Sequence, residues 1–539
     1  MSAETQTFHW WKRAWIPMIL AVVTHIGGLW GRFVMDDLPD LVSHPVVGGN
    51  QPWWKVLSYN YMGAPLSKGA NTIRPLTTLN FSLEWSLWGK NPFLFHVTSL
   101  LLFLALVWVV HRLLSDWLTP VMTFVSASLF AVLAIHVEVV AAIANRAEVW
   151  SLLLALLALR MALKERYLLA SGLYFASLLG KESSILLPMM VGWALFCLHG
   201  WEGLREKKHL RTLGALFLTG VLFVGLRSIL LPLTVSGRIL PADNPLLLAN
   251  GATRVWMTFV LLGKYLWLSF WPTTLSADYT FSAIPVALDF RNLYGWLGLA
   301  FTVGHLVLLA RLWKQRAESR TAQILMLSIG GFVLSYALFS NSLFLIVTLF
   351  AERVFLAPSF WLCLWVGALL GWGVQKNEAL LSLKTAGWGV LLTIFLFQSL
   401  WGYKRSREWK DELTLFQAQV RTQPANIKGR LYVARRLAKR GRMEEALWHL
   451  AVAIQGRTRF PKQWSVSAKL DKLPMKQRIG YIPKLLAPHL PPHLVLPQFQ
   501  RMARGLLGPK TTPVLWKMYP MLHPRNRSVR RRSSPAPSR

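Results

Sequence analysis

Apolar residues along this chain are gathered into long runs, which polar and charged residues separate. Residues 100–110, 152–159 and 390–397 are runs without a single charged side chain. A helix needs about 20 predominantly apolar residues to cross about 30 Å of hydrocarbon, and each run forms the centre of such a stretch. The pattern therefore predicts an all-α, polytopic membrane helical bundle. Its predicted spans are residues 14–34, 94–114, 121–140, 149–163, 168–179, 185–198, 213–231, 293–310, 324–339, 355–374 and 390–401.

The distribution of basic residues predicts how these spans are oriented. Lys12 and Arg13 precede the first span, and residues 205–211 form a lysine- and arginine-rich loop. Such residues stay on the cytoplasmic side of a membrane. Residues 255–271 are also apolar, but counting them as a span would place the basic stretch 311–320 outside, so we interpret them as re-entrant or interfacial. The result is about eleven spans, a cytoplasmic N-terminus and an extracytoplasmic C-terminal region.

The composition agrees with a membrane location. Only 15% of the residues are charged, against about 25% in an average soluble protein. The formal net charge is +35, and residues 404–539 contain 30 Lys and Arg against 6 Asp and Glu, which is 24 of the 35 charges. For a membrane protein this favours anionic membrane lipids or an anionic lipid-linked substrate as partners, and no nucleic acid. Cys197 and Cys363 lie in apolar runs, which is typical of buried thiols.

The chain is predicted to have a large membrane domain and a smaller helical C-terminal region. Residues 426–455 have the spacing of two amphipathic helices with Gly441 at the turn, the pattern of one tetratricopeptide-like unit. The predicted divisions are a membrane domain at 1–403 with external loops at 35–92 and 233–290, the tetratricopeptide-like unit at 404–456, a basic proline-rich helical region at 457–524 and a disordered basic tail at 525–539.

The adjacent pair Asp36 and Asp37, just beyond the first span, is the first candidate for chemistry. Transfer of a sugar to a hydroxyl requires a base that takes the hydroxyl proton. A carboxylate at the membrane surface could meet both a lipid-anchored donor and an external acceptor. The alternative is that both are solvated acids that end a helix.

Other ionisable residues lie within or beside apolar runs, where charges are costly and usually line a cavity or pair with each other. Arginine and lysine at the external face suit a phosphate leaving group, although each neighbouring pair could be structural. No zinc-ligand spacing and no phosphate-binding loop occurs in the sequence, so we predict no metal and no cofactor. These residues are His136, Glu138, Arg146, Glu148, Lys181, Glu182, Lys264, Glu352 and Arg353.

The order of these motifs resembles the transmembrane and tetratricopeptide-repeat-containing O-mannosyltransferases and their bacterial relatives, which have the GT-C glycosyltransferase fold. The similarity covers residues 33 to 455. It consists of Phe-Val-Met-Asp-Asp at 33–37, Arg-Pro-Leu at 74–76, Gly-Lys-Asn-Pro at 89–92, Phe-His at 95–96, Ile-His-Val-Glu at 135–138, Asn-Arg-Ala-Glu at 145–148, Gly-Lys-Glu at 180–182, Asp-Asn-Pro at 243–245, Leu-Ser-Ala-Asp-Tyr at 275–279, Ser-Asn at 340–341, Ala-Glu-Arg at 351–353, Pro-Ser at 358–359 and Arg-Glu-Trp at 407–409.

The chain also departs from the family pattern. Leu133 and Ala134 stand where His-Pro is frequent, Ser99 and Phe103 where an asparagine and a histidine are common, and Asn145 replaces a glycine. Because two of these positions lose a histidine that could assist a metal, a divalent metal is possible for the family but is not predicted here.

The resemblance implies an integral-membrane glycosyltransferase. Its donor would be a polyprenyl- or dolichyl-phosphate-linked hexose such as mannose. The acceptor hydroxyl, on a protein or a glycan, would lie on the extracytoplasmic face, and transfer would invert the anomeric carbon. The resemblance assigns residues as follows: Asp36 and Asp37 as the base; Arg74, Lys181, Lys264 and Arg353 as phosphate contacts; His136, Glu138, Arg146, Glu182, Asp278, Tyr279 and Glu352 as support.

Two other function classes remain open from the sequence. A lipid-sugar flippase would have inverted repeats and ionisable residues at mid-membrane, and a non-catalytic scaffold would only present the repeat unit. The single repeat unit and the compact loops favour a bacterial inner membrane as the location.

Overall fold

The described part of the chain is helical. The computed structural model describes residues 14–68, 72–231, 239, 243–279, 283–376, 384–424 and 426–456, and in the tail 474, 475, 499, 501 and 503–507. No strand occurs among these residues, which confirms the all-α prediction. The helices are α1 Trp15–His25, α2 Pro75–Trp88, α3 Pro92–Leu114, α4 Pro120–Val132, α5 Val137–Ala141, α6 Arg146–Leu163, α7 Tyr167–Gly180, α8 Leu187–Leu204, α9 Lys207–Leu230, α10 Gly251–Phe270, α11 Leu293–Gln315, α12 Arg320–Ala337, α13 Leu356–Lys376, α14 Lys384–Glu408, α15 Glu412–Thr422, α16 Ile427–Lys439 and α17 Met443–Gly456.

Several of these helices are long and apolar enough to cross a membrane. Among the described residues there are five, or six if the bent pair α4 and α5 counts as one span, and two shorter apolar helices accompany them. The chain is thus a membrane protein, while the count of about eleven spans stays a prediction. The segment interpreted as re-entrant or interfacial is one continuous helix, α10, which does not reverse direction along its length.

Helices α10 and α11 cross at two glycines. A Cβ atom on Gly263 would overlap the carbonyl oxygen of Tyr294, and one on Gly298 would overlap the carbonyl oxygen of Phe259. Small residues at such positions let two backbones approach closely, which is how helices in membranes gain packing energy. These two glycines therefore determine how closely α10 and α11 pack.

The loop after α1 is folded on an aromatic core. Side chains of this loop, α2, α3 and the turn before α6 pack together and are almost fully buried. This core gives the loop a fixed place beside the helix bundle. Its members are Leu41, Val47, Tyr61, Phe81, Phe95, Ile143 and Ala147.

Two side chains connect distant parts of the membrane domain. The Tyr265 ring of α10 stacks on Phe350 and Phe355 at centroid distances of 3.9 and 4.8 Å. Its hydroxyl donates to the carbonyl of Ala351 at 3.0 Å. Gln398 of α14 donates to the carbonyl of Ser269 at 2.8 Å, close to the end of α10. The Tyr265 contacts hold the segment that leads into the short helical turn Glu352–Phe355, and the Gln398 contact joins α14 to the end of α10.

The chain forms two compact units. The first comprises Met1–Leu275 and Ala287–Asp411, and the second comprises Ser276–Val286 and Glu412–Arg539. The sequence pattern predicts a boundary at 403 and keeps the loop at 233–290 with the membrane domain. Within the second unit, α16 and α17 pack as a helix pair, joined at Gly441 with a φ of +78°, as the spacing predicts. The tetratricopeptide assignment and the GT-C assignment stay predictions, and the tail at 457–539 lies almost wholly outside the described residues.

Candidate active site

The loop after α1 exposes one carboxylate and buries the next. Met35 has a φ of 49°, a left-handed conformation that non-glycine residues seldom adopt. Asp36 is exposed, whereas Asp37 is completely buried. The two carboxylate oxygens of Asp37 accept the N–H of Val34 at 3.0 Å and the N–H of Ala144 at 2.7 Å. Asp37 therefore fixes the loop to the turn before α6, and Asp36 is the carboxylate that a ligand can reach.

A third carboxylate, which sequence analysis missed, lies in the same loop. Asp40 is only 4% exposed, and its N–H donates to the carbonyl of Asp36 at 3.0 Å within a π-helical turn, Leu38–Val42. Burial, and to a smaller extent the nearby charge of Asp36, raise the pKa of Asp40 to about 9. Burial also raises the pKa of Asp37 to about 7, although its two amide donors lower it. The spacing of four residues from Asp36 was the available signal, because such residues share one helix face.

Arg353 is held in place by a buried glutamate. Glu138 accepts the Arg353 backbone N–H at 2.9 Å and its Nη1 at 2.6 Å. The Arg353 side chain is 26% exposed and that of Glu138 only 2%. Arg353 also lies close enough to Asp36 for their charges to interact. The structure therefore joins a predicted base, a predicted phosphate contact and a predicted supporting residue.

Arg74 and Lys181 form a second group of cations in the same region. Lys181 makes a close, buried ion pair with Glu148. Arg74 Nε lies 3.9 Å from an oxygen of Glu182, and its guanidinium lies 4.5 Å from the centre of the Tyr61 ring. The charge of Arg74 also interacts with Glu148 and with Asp40 of the first loop. Arg74 thus connects the acids of the first loop with the turn after α7.

Each of the three guanidinium nitrogens of Arg146 donates to a protein group. The residue is completely buried and makes a close ion pair with Glu84. Its nitrogens donate to Asn80 at 2.9 Å, to Ser99 at 3.1 Å and to the carbonyl of Phe95 at 2.7 Å. This arginine joins α2, α3 and α6 beneath the first loop, so its support of the site is indirect.

Lys264 belongs to a different charged group from Asp36. It is 9% exposed, and its ammonium lies 5.6 Å from the centre of the Tyr294 ring and 5.9 Å from that of Phe350. Its charge interacts with Glu352, which is completely buried. Glu352 also lies 4.0 Å from Arg405, a partner that sequence analysis did not identify. The two groups are connected along the chain, because Glu352 is followed by Arg353, whose charge interacts with Asp36.

Three predicted supporting residues make contacts of another kind. His136 is buried, and its Nε2 is hydrogen-bonded to the Ser359 hydroxyl at 2.7 Å. Asp278 belongs to the second unit, where its carboxylate lies 2.6 Å from the ammonium of Lys428. Tyr279 also belongs to that unit, and its hydroxyl accepts a backbone N–H. These contacts give His136 a packing role in the bundle and give the other two a role within the second unit.

No cluster of metal ligands occurs in the described ranges: no three His, Cys, Asp or Glu side chains are grouped so that they could hold an ion. The site combines acids of the first loop with the two arginines Arg74 and Arg353. The charge of the Asp36 carboxylate interacts with Arg353, and the carboxyl of Asp40 lies within electrostatic range of both Arg74 and Arg353. An exposed base beside partly exposed cations is an arrangement that can deprotonate a hydroxyl and bind a phosphate.

Fold and site together define an all-α membrane protein with an acidic first loop surrounded by cations. Comparison with known proteins agrees with the resemblance of the motifs. The chain is 25% identical over 451 residues to the human protein O-mannosyl-transferase TMTC3, covering 77% of this chain and 48% of that protein. It is 25% identical over 447 residues to protein O-mannosyl-transferase F38B6.6 of Caenorhabditis elegans, covering 80% and 61%. It is 26% identical over 509 residues to human TMTC2, covering 77% and 59%.

These relatives are named O-mannosyl-transferases, which confirms the resemblance predicted from the ordered motifs. The chain spans about half to three fifths of the length of the curated relatives that it matches. No protein-family model matches the chain. No solved structure resembles it significantly.

Proposed function

We propose that the chain is a membrane-embedded mannosyltransferase. It transfers a hexose, with mannose as the first candidate, from a polyprenyl or dolichyl phosphate to an acceptor hydroxyl and inverts the anomeric carbon. The names of the relatives support the reaction class. The observation that carries the proposal is the exposed Asp36 carboxylate, whose charge interacts with Arg353, an arginine held in place by Glu138.

Asp36 is the proposed base. The acceptor oxygen attacks the anomeric carbon while the Asp36 carboxylate takes the hydroxyl proton. The bond from that carbon to the phosphate oxygen breaks, and its electrons stay on the departing lipid phosphate. Attack opposite the leaving group inverts the carbon in this single displacement. Asp37 serves as a positioning residue, because both of its oxygens already accept backbone N–H groups.

Arg353 and Arg74 are the proposed phosphate contacts. Glu138 engages Nη1 of Arg353, so the rest of the guanidinium remains for a phosphate oxygen. A cation preset at the leaving group stabilises the charge that develops there and needs no reorganisation during the reaction. Lys181 and Lys264 are each 9% exposed and lie beside Glu148 and Glu352, so we propose that both act through these acids.

The extracytoplasmic face is the proposed location of the reaction. The basic loops at 205–211 and 311–320 belong on the cytoplasmic side by the positive-inside rule. The first loop, on the other side of the first span, then faces outward. We propose a bacterial inner membrane and a protein or glycan acceptor, the protein acceptor following the names of the relatives.

Sugar transfer by purified variants tests the base assignment. The donors are radiolabelled polyprenyl phosphates carrying mannose, glucose or galactose, incubated with membranes that supply the acceptor. Asp36→Asn should lower transfer at least 100-fold, because general base catalysis contributes about 10²–10⁴ in rate. Asp116→Asn is the matched control, since it removes a partly exposed acid on the predicted cytoplasmic side.

The same experiment separates the proposal from its rivals. Asp37→Asn should lose thermal stability and activity together, because one of its carboxylate oxygens becomes an amide donor facing an N–H. Full transfer by Asp36→Asn would refute the base assignment. If the wild type releases label from none of the donors, a lipid-sugar flippase or a scaffold would be favoured.

A further inference from the structure

A large apolar cavity lies between α8, α10, α11 and α12, apart from the charged site. Its volume is about 930 Å³, near the upper end of the 300–1,000 Å³ that is common for ligand pockets. Leu306 and Val333 line it and are 62% and 56% exposed. The cavity is therefore open at the outer surface of the bundle, where the hydrocarbon of a bilayer would be. Aromatic residues of its wall include Trp193, Phe196, Phe259, Phe301 and Trp313.

One end of the cavity is marked by an arginine. Trp201 and Leu204 of α8 and Trp313 of α11 line this end. The guanidinium of Arg316, just after α11, lies 4.5 Å from the centre of the Trp313 ring and 4.8 Å from that of Phe196. Arg316 is thus stacked on two rings of the cavity wall.

One nitrogen of the Arg316 guanidinium, Nη1, is buried and has no acceptor among the described residues. A buried donor without a partner costs about 1–3 kcal/mol, and more when it is charged. An anionic oxygen at this position would remove that cost.

The charge around Arg316 indicates the side of the membrane. The loop between α11 and α12 and its flanks carry Arg311, Lys314, Arg316 and Arg320 against the single acid Glu318. Such loops stay cytoplasmic, and the cytoplasmic leaflet is the one that contains anionic lipids in contact with basic residues. The cavity and its arginine therefore match a ligand with an anionic head and a long apolar tail.

We propose that this cavity is a binding site for an anionic phospholipid of the cytoplasmic leaflet. The lipid phosphate accepts hydrogen bonds from Arg316, and the acyl chains fill the space between α8, α10, α11 and α12. A free anion would leave the apolar walls uncovered. The sugar donor of the proposed function has its phosphate at Arg74 and Arg353 instead, so the lipid site does not depend on that function.

Lipid retention measured by native mass spectrometry tests the proposal. Purified protein is delipidated, incubated with phosphatidylglycerol or phosphatidylcholine vesicles and transferred to detergent. The wild type should retain phosphatidylglycerol preferentially, and Arg316→Gln should reduce that retention about tenfold, because a hydrogen bond to a charged group is lost. Lys314→Gln, an exposed cation two residues earlier, is the matched control and should behave like the wild type.

A second pair of variants tests the cavity without altering charge. Val333→Trp fills the cavity and should reduce retention of both phospholipids. Val307→Trp is its control, because Val307 is 48% exposed but does not line the cavity. Thermal unfolding of each variant shows whether it is folded. If a variant in one pair is unfolded, the lipid retention of the other pair tests the proposal.

Three results would overturn the proposal. The first is equal retention of phosphatidylglycerol by Arg316→Gln and Lys314→Gln. The second is displacement of phosphatidylglycerol by inorganic phosphate, which would reduce the site to an anion site. The third is displacement by polyprenyl phosphate that is unaffected by Arg316→Gln, which would assign the cavity to the isoprenoid chain of the donor.

Discussion

At the scale of single residues, neighbours of the same type have different roles. Asp36 and Asp37 are indistinguishable in the sequence, and both were assigned as the base. Their surroundings differ because Met35 turns the backbone and the N–H groups of Val34 and Ala144 meet Asp37. The donor from Ala144 is 107 residues away along the chain. The local sequence shows two adjacent acids but does not predict which of them a distant N–H group buries.

Asp40 gives a prediction for the dependence of stability on pH. Burial raises the pKa of its carboxyl to about 9 in the folded protein, against about 3.9 in an unfolded chain. The folded state therefore binds the proton more tightly, and stability falls as the pH rises from about 4 to about 9. For one proton, the free energy of unfolding falls by about 1.4 kcal/mol per pH unit in this range.

Replacing Asp40 by asparagine should remove this loss. The neutral amide has the shape of the protonated acid, so Asp40→Asn should match the wild type near pH 4 and be the more stable protein at pH 8. Thermal unfolding in detergent across this pH range measures the difference. Asp289→Asn, at an exposed acid, is the control and should show no such gain. A difference between Asp40→Asn and wild type that does not change with pH would contradict the burial argument.

At the scale of helices, apolar runs predict where elements occur better than where they bend. The predicted span at 121–140 is present as α4 and α5, but the two are bent by 47°. The backbone N–H of Ala134 donates to the side chain of Gln398 at 3.1 Å. Because Gln398 comes from α14, the break depends on tertiary structure. An apolar pattern contains no information about it.

The crossing of α10 and α11 gives a prediction about packing. Gly298→Ala should destabilise the protein by about 1–3 kcal/mol, because the added methyl meets the carbonyl of Phe259 and the helices must separate. Gly304→Ala on the same helix is the control. Nothing lies within 4 Å of its Cβ position, so this change should be neutral or stabilise by up to about 1 kcal/mol. Equal unfolding temperatures of the two variants would show that the backbones can separate without cost.

At the scale of the whole molecule, the sequence predicts the class of fold, whereas the two compact units depend on contacts between distant segments. Hydropathy predicts a helical membrane domain, and the 3.6-residue spacing predicts the α16–α17 pair. The segment Ser276–Val286 is nevertheless part of the second unit. The carbonyl of Asp278 accepts from Gln419 at 3.1 Å and from Asn426 at 2.9 Å. Backbone acceptors of this kind leave no signature in the residue type.

The orientation of the chain gives a prediction about labelling. Asn50→Cys in the first loop and Arg440→Cys in the second unit should react with a membrane-impermeant maleimide in intact cells. Lys314→Cys should react only after permeabilisation. The native Cys197 and Cys363 are 2% and 1% exposed, so they should contribute little background. Labelling of Arg440→Cys only after permeabilisation would place the C-terminal region in the cytoplasm and change the number of spans from odd to even.

The four hydrogen bonds of Arg146 have a consequence for saturation mutagenesis. Its fork of nitrogens serves Glu84, Asn80, Ser99 and the carbonyl of Phe95 at once. A lysine has three donors on a single nitrogen and cannot match that geometry. In a saturation library sorted for correctly inserted protein, position 146 should therefore lose the codons for every other residue, including those for lysine. Enrichment scores at this position would then reveal the requirement for an arginine before any enzyme assay exists.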